Sequence, residues 1–317
     1  MRFPVFDLHC DTAYAMLGEN FAAPYSLRKN KLHIDLERAG EFPGYAQCFA
    51  CFTSDPQTLP FPVAPQVLFD LEQNIILDSV QENSDLISFA YTAQDVEEHY
   101  KAGKISAILT IEGTAGFGFD PEQLEALYAK GFRITTLGWN EKNPLAGSHI
   151  TGGGLTDLGR RYVAQAQQLG IIVDVSHISD EAFWDIMHIT TAPVIASHSN
   201  SRTVCNVTRN LTDEMFSAIC QSGGVVGINM YAHFLGKSPD LNTVCDHIIH
   251  FLTIDPDGRH IALGGDLDGC DELPAGFAGV EDYPKLAEYM LRRNIDEVTV
   301  RNIFWNNAMG VMKRCCI

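Results

Sequence analysis

Short apolar runs, many of them β-branched, alternate along this chain with longer stretches of helical periodicity. Eight runs read as strands: Val5–His9, Ala46–Phe52, Ile105–Ile111, Phe132–Leu137, Ile171–Ser176, Val194–Ser197, Gly224–Asn229 and Ile261–Gly264. The segments between them carry helix signals. Asp120-Pro121-Glu122-Gln123 offers an N-cap, a proline at the first helical position and a glutamine able to close a capping box. Thr212 caps a segment reaching Gln221, after which Gly223-Gly224 ends it. Asn294 to Glu297 repeats the capping-box spacing ahead of Val298–Met312, and Pro65–Asn83 reads as a long helix entered from a Pro-rich loop, Pro56–Pro65. Strands regularly separated by helices predict βα units on a parallel sheet. Eight of them predict an α/β fold of the closed (β/α)8, TIM-like type, one domain over residues 1–317. An open doubly wound sheet shares the same alternation.

Composition narrows the partners. The chain has 317 residues, a hydrophobic content of 46% and a net charge of −18, which suits a large packed core and disfavours polyanions. No basic patch or aromatic RNA-binding signature is present, so no nucleic acid is expected. No run approaches the roughly 18 apolar residues of a membrane span, and Met1–Val5 lacks the apolar core of a signal peptide. Nine cysteines, an odd count, fit reduced thiols, and the cytoplasm is the expected compartment. Cys48 and Cys51 have CxxC spacing on an apolar strand; with no second pair, and with the two thiols turned to opposite faces, they read as core residues.

The candidate chemistry lies where strands end. His9 and Asp11 close the first strand on one face, with Cys10 turned away. Alone, the pair reads more readily as a hydrogen-bonded strand end. Other strand ends change that balance: Glu112 follows the third, His177 the fifth, His198 the sixth, and Asp266 the last. Barrel active sites are built from the C-terminal ends of several strands. A buried carboxylate there is costly unless it is paired or bound to metal. Three imidazoles and three carboxylates exceed the needs of one tetrahedral ion, so two ions sharing a bridging carboxylate fit better. This donor set suits zinc, with manganese, iron and cobalt as alternatives. His33, His99, His149, His188, His233, His247, His250 and His260 lack such placement and read as structural or surface residues.

These motifs together resemble the membrane (renal) dipeptidase family of metallopeptidases, in a bacterial-type form, over nearly the whole chain. The carriers are Asp7-Leu8-His9-Cys10-Asp11, Ile111-Glu112-Gly113, Gly154-Leu155-Thr156-Asp157-Leu158-Gly159-Arg160, Val173-Asp174-Val175-Ser176-His177, Pro193–Ser199, Arg209-Asn210-Leu211, Gly223–Asn229 and Gly264-Gly265-Asp266-Leu267-Asp268-Gly269. The resemblance implies two Zn2+ ions and hydrolysis of dipeptides, including those with a C-terminal D-residue. By position, His9 and Asp11 would hold one ion, His177 and His198 the other, and Glu112 would bridge them. A metal-bridging hydroxide would attack the carbonyl while Asp266 moves the proton to the leaving amine. Arg209 would grip the substrate carboxylate, a role its own sequence context does not suggest. A small dipeptide is the implied partner, no membrane is expected, and a homodimer is the candidate assembly.

One departure stands out. Mammalian members carry Thr-Leu-Thr-His after the fourth strand, the histidine polarising the scissile carbonyl; here the run is Thr136-Leu137-Gly138-Trp139. Trp139 has only an indole N–H to offer and reads equally as a pocket wall; Asn140 is another donor in reach of the same place. Asn229 and Tyr231, past the seventh strand, are candidates to meet the substrate amine. Two rival readings follow: a binuclear hydrolase of another small amide (an N-acyl amino acid, a cyclic amide or a cell-wall fragment), and a non-catalytic binding barrel. The intact ligand set argues against the second.

Overall fold

The computed structural model describes residues 2–54 and 63–316. Most of the expected Pro-rich loop, residues 56–62, lies outside the described residues. All eight expected strands form: β1 (Val5–Cys10), β2 (Tyr45–Phe52), β4 (Ile105–Glu112), β5 (Phe132–Thr136), β6 (Ile172–Asp174), β7 (Val194–Ile195), β8 (Val226–Ile228) and β9 (Ile261–Leu263), with an unforeseen ninth, β3 (Ile87–Phe89). Every pairing is parallel, in the order β7-β6-β5-β4-β2-β1-β9-β8. The ring closes between β7 and β8, where Ala196 N–H donates to Val225 O at 3.0 Å and Gly227 N–H donates to Ala196 O at 2.8 Å. This is a (β/α)8 barrel rather than an open sheet. Close approach at the seam needs glycine, since a Cβ on Gly264 would stand 1.7 Å from Ser197 O.

The extra strand shares an edge. β3 pairs with Ile105–Ala107 at the start of β4, and β5 takes over the same edge from Leu109 onward. Its three residues are too short for a periodic signal. The later strands are shorter than their apolar runs because side chains take over the backbone donors at their ends. Asp174 Oδ1 accepts from Ser176 N at 3.0 Å and from Ser197 N at 2.9 Å.

One apolar cluster draws Phe6, Leu8, Ala46, Cys48, Ile108, Ile134, Ile172, Ile195 and Ala262 from strand after strand, and so marks the barrel interior. Met309 and Met312 of the C-terminal helix Asn307–Cys315 join it. Cys51 belongs to the outer layer between sheet and helices, so Cys48 and Cys51 do face opposite ways. All nine cysteines are free.

The helix signals hold in two cases and shift in two. The long helix spans Pro65–Glu82, and Thr212 caps Asp213–Ser222 by accepting from Met215 N–H. Asp120 instead holds a turn through Glu122 N–H at 3.0 Å, and the helix begins at Gln123. Asn294 does not cap: it adopts φ 63°, and Asp296 caps Glu297–Arg301 by accepting from Val298 and Thr299 N–H. Aspartate two residues nearer the first turn reaches both orphan donors.

Candidate metal centre

A bulge in β1 aims the first candidate ligand. Phe6 and Leu8 belong to the interior cluster, yet Cys10 packs in the outer layer. The register between β1 and β2 slips between Asp7 and Cys10, three steps on one strand against two on the other. An extra residue of this kind bends a strand and re-aims a side chain. Here it turns His9 into the barrel mouth. Asp7, fully buried, steadies the bulge: it accepts from His9 N at 3.0 Å, from Gly265 N at 3.0 Å and from the Tyr283 hydroxyl.

Glu112 needs no such device. It lies four residues after interior Ile108, and plain alternation carries it to the same mouth. The chain then turns sharply at Gly113, which has φ 80° and leaves no room for a Cβ, 2.0 Å from Thr53 O. His177 and Asp266 themselves adopt φ 71° and 55°, uncommon for residues with side chains and held here at the centre of the site.

All six strand-end residues converge. His9 Nε2 lies 3.4 Å from Asp11 Oδ2, 3.5 Å from Glu112 Oε2 and 3.8 Å from Asp266 Oδ1. On the other side, Glu112 Oε1 is 2.9 Å from His177 Nε2 and 3.5 Å from His198 Nε2. The two carboxylate oxygens of Glu112 thus face two separate nitrogen groups. His9 also stacks on His198, ring centroids 3.8 Å apart. None of the six exceeds 9% exposure.

The Nδ1 atoms of His198 and His177 are tied back to the protein. His198 Nδ1 is 2.7 Å from Ser197 Oγ, and that hydroxyl donates to Asp174. His177 Nδ1 is 3.0 Å from Asn140 Oδ1. Such outer bonds fix a metal-binding tautomer. Burial, with Arg209 and His9 nearby, holds His177 and His198 well below the usual histidine range. Burial also opposes charge on His9, but Glu112 and Asp11 carry it well above that range. Burial and then Asp11 raise Glu112 to about 8. Burial lifts Asp266 to about 6, with His9, Arg209 and a hydrogen bond from Asn229 pulling the other way.

This donor set fits divalent cations. His9 Nε2 and Asp11 Oδ1 are buried with no hydrogen-bond partner among the described residues, and the cluster resolves into two ligand groups, His9/Asp11/Asp266 and His9/Glu112/His198. Unpartnered buried polar atoms are costly, and a cation satisfies several at once.

Above the centre lies a cavity of about 460 Å³ with Asp11, Glu112, His177 and Asp266 in its floor. Tyr14, Phe52, Trp139, Tyr231 and Phe234 form its aromatic sides. Trp139 packs edge-on to Phe52, centroids 5.0 Å apart, and so stands as a wall. Arg209 is 3% exposed; its guanidinium lies 5.7 Å from the ring centroid of Phe234 and donates Nη1–H to Ser199 Oγ at 2.7 Å. Its Nε and Nη2 have no partner, and no carboxylate lies within 4.0 Å of it, among the described residues.

Asn229 is occupied elsewhere than at a substrate amine. Its Nδ2 donates to Asp266 Oδ2 at 3.0 Å and its Oδ1 accepts from Tyr231 N, so it sits fully buried behind Asp266 and holds that carboxylate in place. Sequence reasoning set His149 aside, yet it lines the cavity beside Asn140. Burial, then Arg209 and Arg202, lower it to about 4. The signal available was its position in the long connection from Leu137 to Thr156, because connections of such length inside a barrel usually carry function.

Comparison with known proteins agrees along the whole chain. The sequence profile of the family described as membrane dipeptidase (peptidase family M19) matches residues 1–315. A Klebsiella pneumoniae relative, described as an uncharacterized protein in the pqqA 5' region, is 32% identical over 253 residues, 75% of this chain and 93% of that one. A crystal structure of a Rhodobacter sphaeroides metallopeptidase, liganded with a phosphinate mimic of the dipeptide L-Ala-D-Ala, superposes with a TM-score of 0.89 at 28% identity, covering 99% of this chain and 100% of that one. The crystal structure of the M19 metallopeptidase dipeptidase AC gives 0.90 at 29% identity, covering 100% and 99%.

Proposed function

The chain belongs to the membrane dipeptidase family of metallopeptidases, and from that premise we propose that it hydrolyses dipeptides, including those with a C-terminal D-residue, at a centre of two zinc ions. The observation that carries the reading is Glu112, one oxygen toward His9 and the other toward His177 and His198. His9 and Asp11 would hold one ion, His177 and His198 the other, with Glu112 shared. Bound there, the ions supply Lewis acidity toward the carbonyl and lower the pKa of water.

The protein's own groups do the rest. Arg209, a buried cation whose Nε and Nη2 have no partner among the described residues, receives the substrate carboxylate, for which a guanidinium fork is the matching donor. Phe234, whose ring centroid is 5.7 Å from the Arg209 guanidinium, also lines the cavity of about 460 Å³ above the centre, and room of that size favours substrates two residues long. Asp266, held by Asn229, takes a proton from water and passes it to the departing amine. The Asn140 amide, and not the Trp139 indole, binds the scissile carbonyl. Likeness to the protein liganded with a mimic of L-Ala-D-Ala supports the D-residue at the C-terminal position. Nine free cysteines favour a reducing compartment, the cytoplasm, and among the described residues no helix is long and apolar enough to cross a membrane.

A panel of L,L- and L,D-dipeptides with N-acylated controls, run beside elemental analysis, tests the reading. Cleavage of free dipeptides with two zinc ions per chain is expected. Preference for N-acyl amino acids over dipeptides would favour the other amidohydrolase reading.

A further inference from the structure

We infer that His149 is a positioning residue that locks the Asn140 side-chain amide with its NH2 toward the substrate carbonyl, an inference that rests on the dipeptidase reading above.

The argument is an assignment of protons. For His177 to offer its Nε2 lone pair to a cation, its proton must sit on Nδ1, 3.0 Å from Asn140 Oδ1. That bond fixes which end of the amide is oxygen. His149 Nε2 reaches the same oxygen at 2.9 Å, so it too must donate. Its Nδ1 is then unprotonated and accepts from the Thr208 hydroxyl at 3.1 Å. Both ring nitrogens of His149 are thereby used, and it has no N–H left for a substrate.

Asn140 is the group set free. With two N–H donors on its oxygen, only Nδ2 remains to face the cavity it lines, and no hydrogen bond engages that atom among the described residues. Trp139, the neighbouring residue, is packed against Phe52 as a wall. The His149 ring is anchored in turn. Its backbone N–H donates to His177 O at 2.8 Å, and Ser148 Oγ donates to Asn140 O at 2.6 Å. Thr208 directly precedes Arg209, and its carbonyl accepts from Arg202 Nη2 at 3.0 Å. His149 therefore spans from the segment that carries Arg209 to the amide beside the metal ligand His177. A donor held in place before reaction stabilises developing charge without reorganisation.

The test is a double-mutant cycle of His149→Ala and Asn140→Ala on the zinc-loaded protein, with His149→Gln as the conservative variant. Metal content, KM and kcat for L-Ala-D-Ala, and affinity for its phosphinate mimic are read for each. His149→Ala should keep both metals and KM, and lower kcat and phosphinate affinity together by about tenfold, as loss of an outer-shell partner does. It should add little once Asn140 is alanine, and glutamine, which carries an amide N–H, should recover most of the loss. Unchanged phosphinate affinity, loss of metal, or full additivity with Asn140→Ala would each overturn the role of His149 while leaving the dipeptidase reading intact. A wild-type protein that neither cleaves dipeptides nor binds the mimic overturns both.

Discussion

The Nε2 atoms of His177 and His198 face each other at 2.9 Å, with Glu112 Oε1 at 2.9 Å from the first and 3.5 Å from the second. Burial holds both imidazoles well below their usual range, and their Nδ1 atoms are committed to Asn140 and Ser197. Two lone pairs and a carboxylate oxygen aimed at one point are reconciled by a cation. Glu112→Gln should therefore lower the occupancy of both ions and abolish turnover. Retention of two metals with full activity would sink the shared-ligand role. Chelation of the wild-type protein should also lower Tm, because ions bound at this centre would stabilise only the folded chain.

Asp266 accepts from Asn229 Nδ2 at 3.0 Å and lies 3.8 Å from His9 Nε2, at the edge of the candidate centre. Asp266→Asn should keep metal and substrate binding and reduce kcat by about 100-fold or more, the usual contribution of a positioned acid–base group. Burial raises its pKa to about 6, and cations bound beside it would pull it lower. The carboxylate must be ionised to accept a proton, so kcat/KM should fall as pH drops through about 6 or just below, and this limb should be missing from Asp266→Asn. Asn229→Ala should reproduce part of the kcat loss with KM unchanged, and a KM effect alone would return Asn229 to substrate binding.

The barrel and its six converging groups were legible because each depends on local sequence: an apolar run, then a ligand-type side chain. What was hidden depends on distant partners. The bulge that turns His9 inward is steadied by Asp7, whose partners Gly265 and Tyr283 lie more than 250 residues away. Asn229 looked like a cavity residue by its place after a strand, yet Asp266 and the Tyr231 backbone consume its amide. His149 had no strand end to advertise it; only the folded connection brings it to Asn140. β3 was missed because three residues have no periodicity.

Arg209 should separate binding from chemistry. Its Nη1 is tied to Ser199, while Nε and Nη2 have no partner among the described residues, in a site with 3% exposure. One charged hydrogen bond contributes roughly 1.5–3 kcal/mol, so Arg209→Ala, which removes at least one, should raise KM for free dipeptides by about 10- to 100-fold or more. C-terminally amidated dipeptides, which lack the carboxylate, should be hydrolysed equally poorly by both proteins. A matching loss on amidated substrates would rule out the carboxylate grip.

Glu72 gives a test of stability rather than activity. It is fully buried on the helix Pro65–Glu82, with Oε2 accepting from Phe52 N at 2.6 Å and Oε1 without a partner among the described residues. Burial, reinforced by Asp11 and Glu112, holds its pKa well above the ordinary 4.5. The folded protein therefore binds this proton more tightly than the unfolded chain does. The resulting stabilisation is complete below the unfolded value of about 4.3 and is lost as pH rises through the folded pKa. Glu72→Gln, a neutral isostere, escapes that loss. Its Tm relative to the metal-loaded wild type should rise steadily between about pH 5 and pH 8, measured in the same buffer series. A Tm difference that does not vary with pH would show that Glu72 titrates alike in the folded and unfolded chains.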